Sequence, residues 1–155
     1  MYGYIKILKQ DIDDCSDYYH SLIVSYLLKV SNDSVIVDFS SMMDSEDILN
    51  IAKGLKSFSG KYNESCHFKG VELSLSVKYF ESTNKTALHF ICIDRGSPPF
   101  NYNLDFYLIA EVAEINRLGS MLEQWIQDKE ADYLVWSKDE YFVGDRYAHQ
   151  DFWQK

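Results

Sequence analysis

The sequence predicts an α+β fold in which a mostly antiparallel sheet of about six strands carries two helices packed on one face. Most apolar residues recur with a period of two, as in half-buried strands, and helical spacing is confined to two segments. Successive strands are joined by turns too short for the crossovers that parallel strands need. The 155 residues are 46% hydrophobic and include 2 prolines. They fit a single domain over residues 1–155, with residues 129–155 as an aromatic, acidic C-terminal extension.

The N-terminal part of the chain predicts strands and an acidic loop. The opening YGYIKILK places Ile5 and Ile7 on one face, and the following QDIDDCSD is predicted to be a loop. HSLIVSYLLKV alternates along its length, and its apolar face consists of Leu22, Val24, Tyr26, Leu28 and Val30. After the SND turn, the β-branched VIVDF is predicted to pair back as a hairpin.

Each predicted helix shows a single apolar stripe. Asp44 is predicted to cap the first helix, which stops near Gly60. Its stripe consists of Ile48, Ile51, Ala52, Leu55 and Phe58. The second helix is predicted from about Asn116, with a stripe of Ile115, Leu118, Leu122, Trp125 and Ile126.

The remaining segments predict further strands. HFKGVELSLSVKYF reads as one half-buried strand, with Val71, Leu73, Leu75, Val77 and Tyr79 on its apolar face. TALHFICID and LDFYLIAEV follow, separated by a loop whose Pro-Pro pair cannot lie inside a sheet. Residues 133–136 and 141–143 predict a last hairpin around SKDE.

Charge narrows the range of partners. The chain has 24 acidic and 15 basic residues, for a net charge of −9. That charge repels phosphate backbones and anionic lipids, so we expect neither direct nucleic-acid binding nor a membrane partner. The widely spaced Cys15, Cys66 and Cys92 predict free thiols, and the N-terminus lacks the apolar run of a signal peptide. The expected location is therefore the cytoplasm, and the expected partner is a basic protein.

Motifs for cofactors and metals are incomplete. GLKSFSGKY has the wrong glycine spacing for a phosphate-binding loop and has Tyr62 where serine or threonine belongs. Cys66 and His67 are adjacent, which places them on opposite faces of a strand and argues against a zinc site. The spacing of Asp11, Asp13 and Asp17 does not match a calcium-binding loop. We therefore predict no cofactor and no metal.

An acidic cluster near the N-terminus is the first candidate for partner binding. Its carboxylates lie beside two tyrosines, an arrangement suited to steering and holding a basic protein. The candidate residues are Asp11, Asp13, Asp14, Asp17, Tyr18 and Tyr19. A solvated loop is the alternative interpretation. The acidic residues Asp44, Glu46 and Asp47 are explained as favourable charge at a helix N-terminus.

The C-terminal stretch KDEYFVGDRYAHQDFWQK is the second candidate. Its aromatics alternate with charges, as in the core and rim of an interface, although aromatics also close small cores. The two interpretations are compatible, since a tryptophan such as Trp136 can be buried while tyrosines face outward. The candidate contact residues are Asp139, Glu140, Tyr141, Asp145 and Tyr147.

The order of elements resembles a family. The helix stripe ILNIAKGL, the strand VELSLSVKYF and the helix INRLGSMLEQWI follow one another as in small bacterial immunity proteins of polymorphic toxin and contact-dependent growth inhibition systems, particularly the WapI-type group. The similarity covers about residues 20–128 and consists of pattern. It implies a cytoplasmic protein that binds one cognate toxin domain, often a basic nuclease, and blocks its active site. The family supplies no catalytic residues.

The function predicted from sequence is therefore a non-enzymatic inhibitor of a basic toxin, acting by electrostatic steering and steric occlusion. Two alternatives stay open. One is a small enzyme built on a Cys–His or His–Asp pair, with His89 and Cys92 as the residues to test. The other is an adaptor subunit with an obligate partner.

Overall fold

The computed structural model describes residues 3–14, 22–61, 67–69, 72–94 and 102–150, and its fold is α+β as predicted. The described strands are β1 Tyr4–Asp14, β2 Leu22–Ser31, β3 Ile36–Asp44, β4 His67–Lys69, β5 Leu73–Phe80, β6 Lys85–Asp94, β7 Tyr102–Ile109, β8 Tyr133–Ser137 and β9 Tyr141–Gly144. The helices are α1 Ser45–Ser57 and α2 Val112–Gln127, followed by a 3₁₀ helix at Arg146–Ala148.

The described strands form two antiparallel sheets instead of the single sheet predicted. One has five strands in the order β3-β2-β1-β8-β9, and the other has four in the order β4-β5-β6-β7. The segment predicted as one strand over HFKGVELSLSVKYF is split into β4 and β5, which pair with each other. Alternation of apolar residues fixes which face a strand buries, but it carries no information on which strand lies beside it.

The first strand is longer than predicted. β1 continues to Asp14 through the stretch expected to be an acidic loop, and it stays paired with β2 to its end. The register shifts between Lys9 and Asp11, as at a β-bulge. Pairing with β2 explains this, because β2 supplies backbone hydrogen bonds while the Asp11 and Asp13 side chains are exposed to solvent.

Both helices begin with polar residues that satisfy their first amide groups. Asp44 caps α1 as predicted, and its carboxylate accepts a hydrogen bond of 2.8 Å from the backbone N–H of Glu46. α2 begins at Val112, before the predicted start at Asn116, and the Glu114 carboxylate accepts from the backbone N–H of Glu111 at 2.7 Å. The prediction followed the apolar stripe and so missed this first turn.

The core is shared by both sheets and both helices. The whole predicted stripe of α1 is buried in it, as are Trp125, Trp136 and most of the predicted inward residues of β2 and β5. Leu22 and Tyr79 are only half-buried, and Val71 lies outside the described residues. Each indole N–H reaches a backbone carbonyl: Trp125 donates to Asp132 at 3.1 Å and Trp136 donates to Glu114 at 2.9 Å. The tryptophans therefore join α2 to the last hairpin without leaving a buried donor unpaired.

The predicted C-terminal hairpin is present as β8 and β9. Its residues Tyr133 and Val135 are buried together with Leu8 in a second cluster, on the face of the five-stranded sheet opposite the main core. Phe142 packs against this second cluster, so part of the aromatic C-terminal stretch is core. In the described part of the chain, no helix is both long and apolar enough to cross a bilayer.

Candidate partner-binding surface

One end of the five-stranded sheet carries an acidic face. Two rows of directly paired residues cross strands β1, β2 and β3 there. One row consists of Asp11, Ser25 and Met42, and the other consists of Asp13, Ile23 and Asp44. Directly opposed residues of neighbouring strands point to the same face, about 4.8 Å apart in the pairing direction. Asp11, Asp13 and Asp44 thus share one face, which we call the acidic face.

The acidic face also offers apolar contact area. The Met42 side chain is 67% exposed in the row that begins with Asp11. Ile23 is half-buried between Asp13 and Asp44. Apolar side chains surrounded by charged ones are typical of the centre and rim of a protein interface.

A groove runs beside the acidic face, between the outer edge of β3 and the four-stranded sheet. Its volume is about 1310 Å³. The carboxylates that line it belong to Asp44, Asp47 and Glu72, and the described lining contains no lysine or arginine. Apolar side chains make up much of the remainder: Met42, Met43, Phe68, Leu73, Ile91 and Ile93.

The floor of the groove is a small polar group. The Ser41 hydroxyl donates to the Glu72 carboxylate at 2.9 Å, which connects the two sheets across the groove. Beside them lies Tyr26, whose side chain lines the groove although the residue is only 5% exposed. Burial raises the pKa of Tyr26 to about 12, with further contributions from the Cys92 thiol and the Glu72 carboxylate, while the Ser41 hydroxyl offsets part of the rise.

The predicted N-terminal candidates are placed as follows. Asp11 and Asp13 are exposed strand residues of the acidic face. Asp14 ends β1 opposite Leu22. Asp17, Tyr18 and Tyr19 lie outside the described residues.

The C-terminal candidates lie on β9 and in the segments on either side of it. Asp139 and Glu140 lie in the turn between β8 and β9, close to Tyr4, because Tyr4 is paired with Ser137. β9 is two strand spacings, about 10 Å, from β1, the strand that carries Asp11 and Asp13. Asp139 and Glu140 lie near the opposite end of β1 from these aspartates, whereas Asp145 precedes Arg146, whose guanidinium donates to the Lys9 carbonyl at 2.9 Å, two residues before Asp11.

Several of these C-terminal residues have local structural partners. The Glu140 carboxylate contacts the His149 imidazole, and Arg117 lies 4.2 Å from the centre of the Tyr141 ring. Asp145 caps the 3₁₀ helix by accepting from the backbone N–H of Tyr147 at 2.7 Å. Tyr147 itself is 84% exposed. All five C-terminal candidates are nevertheless exposed residues.

The sequence analysis missed part of the acidic surface. Asp44 and Asp47 are predicted as acidic residues of a helix N-terminus, which is confirmed for both, but the same residues also border the groove. Glu72 was placed only as a polar residue of a strand. No local signal identifies it, since Ser41 and Glu72 are separated by 31 residues and meet only through tertiary packing.

Among the described residues, His89 and Cys92 do not form a Cys–His pair. His89 lies on the outer face of the four-stranded sheet, where its Nε2 is 2.6 Å from the Asp105 carboxylate and its ring stacks on Tyr107 at 4.4 Å. Cys92 faces the core, because residues three apart on a strand point to opposite faces. Burial raises the pKa of the Cys92 thiol to about 11, which suppresses the reactive thiolate.

The described residues were expected to form no metal site. Among the residues that the structure describes, no three or more histidine, cysteine, aspartate or glutamate side chains are grouped so as to hold a metal ion.

Comparison of the chain with protein-family models and with curated proteins gives no match. The resemblance to immunity proteins remains a prediction from the pattern of elements, so function is argued from the surface itself.

Proposed function

We propose that this protein is an inhibitor of the immunity type, which binds a basic toxin domain through the acidic face and covers its active site. The observation that carries the proposal is the clustering of Asp11, Asp13 and Asp44 in neighbouring cross-strand positions. Asp44 also caps α1, but the fold gains no stability from placing Asp11 and Asp13 near it, so the cluster is better explained by a positively charged partner.

Electrostatics supports a partner of this kind. Among the described residues, no basic side chain forms an ion pair with Asp11 or Asp13, so both carboxylates retain their field. The net charge of −9 adds long-range attraction for a basic domain. Carboxylates on this face would occupy a groove that the toxin uses for phosphates, and Met42 would supply desolvated contact area.

The first test is affinity capture from the protein's own cells, with bound proteins identified by mass spectrometry after washes at low and high salt. We expect one stoichiometric partner with a basic domain, released progressively as salt rises, because screening weakens attraction between exposed charges. Recovery of no partner at either salt would count against the proposal.

The second test assigns the surface. The double variant Asp11→Lys, Asp13→Lys is compared with Asp33→Lys, Glu81→Lys, which changes the net charge equally at exposed turn positions away from the acidic face. We expect the first variant to slow association with the captured partner by about tenfold or more and the second to have a much smaller effect. Association rates are measured by surface plasmon resonance. Equal rates for the two variants would show that the acidic face is not the contact surface.

The alternative of an enzyme has one observation in its favour, the His89–Asp105 pair. An imidazole held by a carboxylate is suited to general base chemistry. If the purified protein showed an activity, His89→Gln would abolish it while leaving the fold intact by circular dichroism. Full activity in that variant would remove this pair from consideration.

A further inference from the structure

The groove beside β3 follows the free edge of a sheet. β3 is the terminal strand of the five-stranded sheet, and β2 is its only pairing partner among the described strands. Residues 40–44 all line the groove, although consecutive strand side chains point to opposite faces. A groove bordered by consecutive residues must run along the strand edge, where backbone N–H and C=O groups are available for another strand.

The floor of this groove contains a hydroxyl group that lacks a hydrogen bond. Tyr26 is more than nine-tenths buried, and no described atom lies in hydrogen-bond geometry with its hydroxyl, although the Ser41 hydroxyl is near enough to lower its pKa. The neighbouring Ser41 hydroxyl is used in the bond to Glu72. An unpaired buried hydroxyl is unfavourable, so a ligand group that supplies its hydrogen bond gains affinity.

The charge of the groove lining determines which charge a bound ligand can carry. Asp44, Asp47 and Glu72 contribute carboxylates, and no described lining residue is basic. Of these three carboxylates, that of Glu72 contacts the floor of the groove, because it accepts a hydrogen bond from the Ser41 hydroxyl. A lysine or arginine side chain entering the groove would meet carboxylate, hydroxyl and phenol oxygen atoms as acceptors, whereas an anionic ligand would be repelled.

The walls suit the rest of such a side chain. Met42 and Met43 line one side, and Phe68, Ile91 and Ile93 line the other. Long basic side chains bury their methylene stems against apolar surface while the charged end reaches polar groups. Methionine adapts its shape to different contacts. The groove volume, about 1310 Å³, also exceeds the range of about 300–1,000 Å³ usual for small-molecule sites, which favours a stretch of polypeptide.

We propose that the groove receives an extended basic segment of the protein partner, which pairs with the edge of β3 and places one lysine or arginine side chain over Tyr26, Ser41 and Glu72. This rests on the proposed function and names the part of the partner that is recognised. The main-chain pairing supplies affinity and the cationic side chain supplies specificity.

The test begins with a synthetic probe that does not require the natural partner. A capped peptide of alternating lysine and valine is titrated into ¹⁵N-labelled protein at low salt. We expect the amide signals of residues 40–44 to shift, and a peptide of alternating glutamate and valine to leave them unchanged. Shifts confined to Asp11 and Asp13, or no shifts, would overturn the proposal.

Two substitutions then examine the floor. Glu72→Gln keeps an acceptor for Ser41 but removes the charge, and Tyr26→Phe removes only the hydroxyl. Each should weaken peptide binding by about tenfold, as loss of one charge-assisted or buried hydrogen bond requires. The matched control is Glu81→Gln, which removes the same charge at an exposed turn and should bind as the wild type does. Equal affinity in all variants would overturn the assignment of the floor.

The captured partner separates this inference from the proposed function. If the partner binds Glu72→Gln and Tyr26→Phe as tightly as the wild type, the groove is not its recognition site and the inhibitor proposal is unaffected. If no partner is recovered but the lysine peptide maps to residues 40–44, the groove is a site for basic segments and the inhibitor proposal fails.

Discussion

Lys9 shows how a single charged residue can be part of the core. The residue is 6% exposed, and its Nζ donates to the carbonyl oxygens of Trp125 at 2.7 Å and Ala131 at 2.9 Å. It therefore satisfies acceptors around the C-terminal end of α2, where the helix dipole favours a cation. From sequence, Lys9 could be placed on the first strand, but its burial depends on where α2 packs.

We predict that Lys9→Met destabilises the protein by about 1–3 kcal/mol, because the carbonyl oxygens of Trp125 and Ala131 lose their donor inside the protein. The measurement is urea denaturation. The control is Lys53→Met, an exposed lysine of α1, which should change the free energy of unfolding by less than about 0.5 kcal/mol. Equal effects of the two substitutions would contradict the structural role of Lys9.

The same residue predicts a dependence on pH. Burial lowers the pKa of Lys9 below its ordinary 10.5, although Asp132 and Asp128 oppose the shift. Between that lowered pKa and 10.5, the unfolded chain binds more protons at this site, so the contribution of Lys9 to the free energy of unfolding rises with pH. The stability difference between wild type and Lys9→Met should therefore grow as pH approaches 10.5. A constant difference would show that the site is not desolvated.

At the scale of elements, the contact between the helices depends on Gly119. A Cβ atom at this position would lie 2.6 Å from the backbone nitrogen of Lys56 and 2.7 Å from the carbonyl oxygen of Ala52. Both contacts are with the backbone of α1, which cannot move as a flexible side chain would. The missing side chain is thus what lets α2 approach α1 so closely.

We predict that Gly119→Ala destabilises the protein by about 1–3 kcal/mol, even though alanine is the better helix former by about 1 kcal/mol. The free-energy cost of moving the helices apart, or of strain within them, should exceed the gain in helix propensity. Ser120→Ala, at the exposed neighbouring position, is the matched control and should be neutral or slightly stabilising. Thermal unfolding of both variants provides the measurement, and a rise in Tm for Gly119→Ala would refute the close contact.

The helices and strands could be predicted from the sequence wherever their signal lay within one segment. The stripe from Ile48 to Leu55 and the cap at Asp44 identified α1 with nearly correct bounds. The prediction failed at the acidic end of β1, because aspartates favour loops in isolation, whereas here the backbone is held by pairing with β2. It also failed to divide β4 from β5, since both carry strand patterns and only their pairing separates them.

For the whole molecule, two buried acidic groups predict sensitivity to alkali. The pKa of Tyr26 rises from 10.0 to about 12, and that of Cys92 rises from 9.0 to about 11, in both cases mainly through burial. Above pH 9.0 the folded state therefore binds more protons at these sites than the unfolded chain does. Their contribution to stability is complete below pH 9.0 and decreases as pH rises toward about 12.

We expect the free energy of unfolding of the wild type to decrease over this alkaline range, measured by urea denaturation at a series of pH values. The free energy of unfolding of Tyr26→Phe should decrease less steeply above pH 10.0, because the variant has no phenol at this position to lose a proton. An unchanged slope in Tyr26→Phe would mean that the phenol is already accessible to water in the folded state.

The sequence by itself determined the fold class, the helices, the buried face of most strands and the acidic character of the surface. These properties depend on spacing within one segment or on composition, so neighbours along the chain decide them. The tertiary structure alone decided that there are two sheets, that Asp13 and Asp44 share a row through Ile23, and that Glu72 reaches Ser41 across a groove. Such proximities follow from strand order and register, which arise from packing between distant segments and leave no pattern within any one of them.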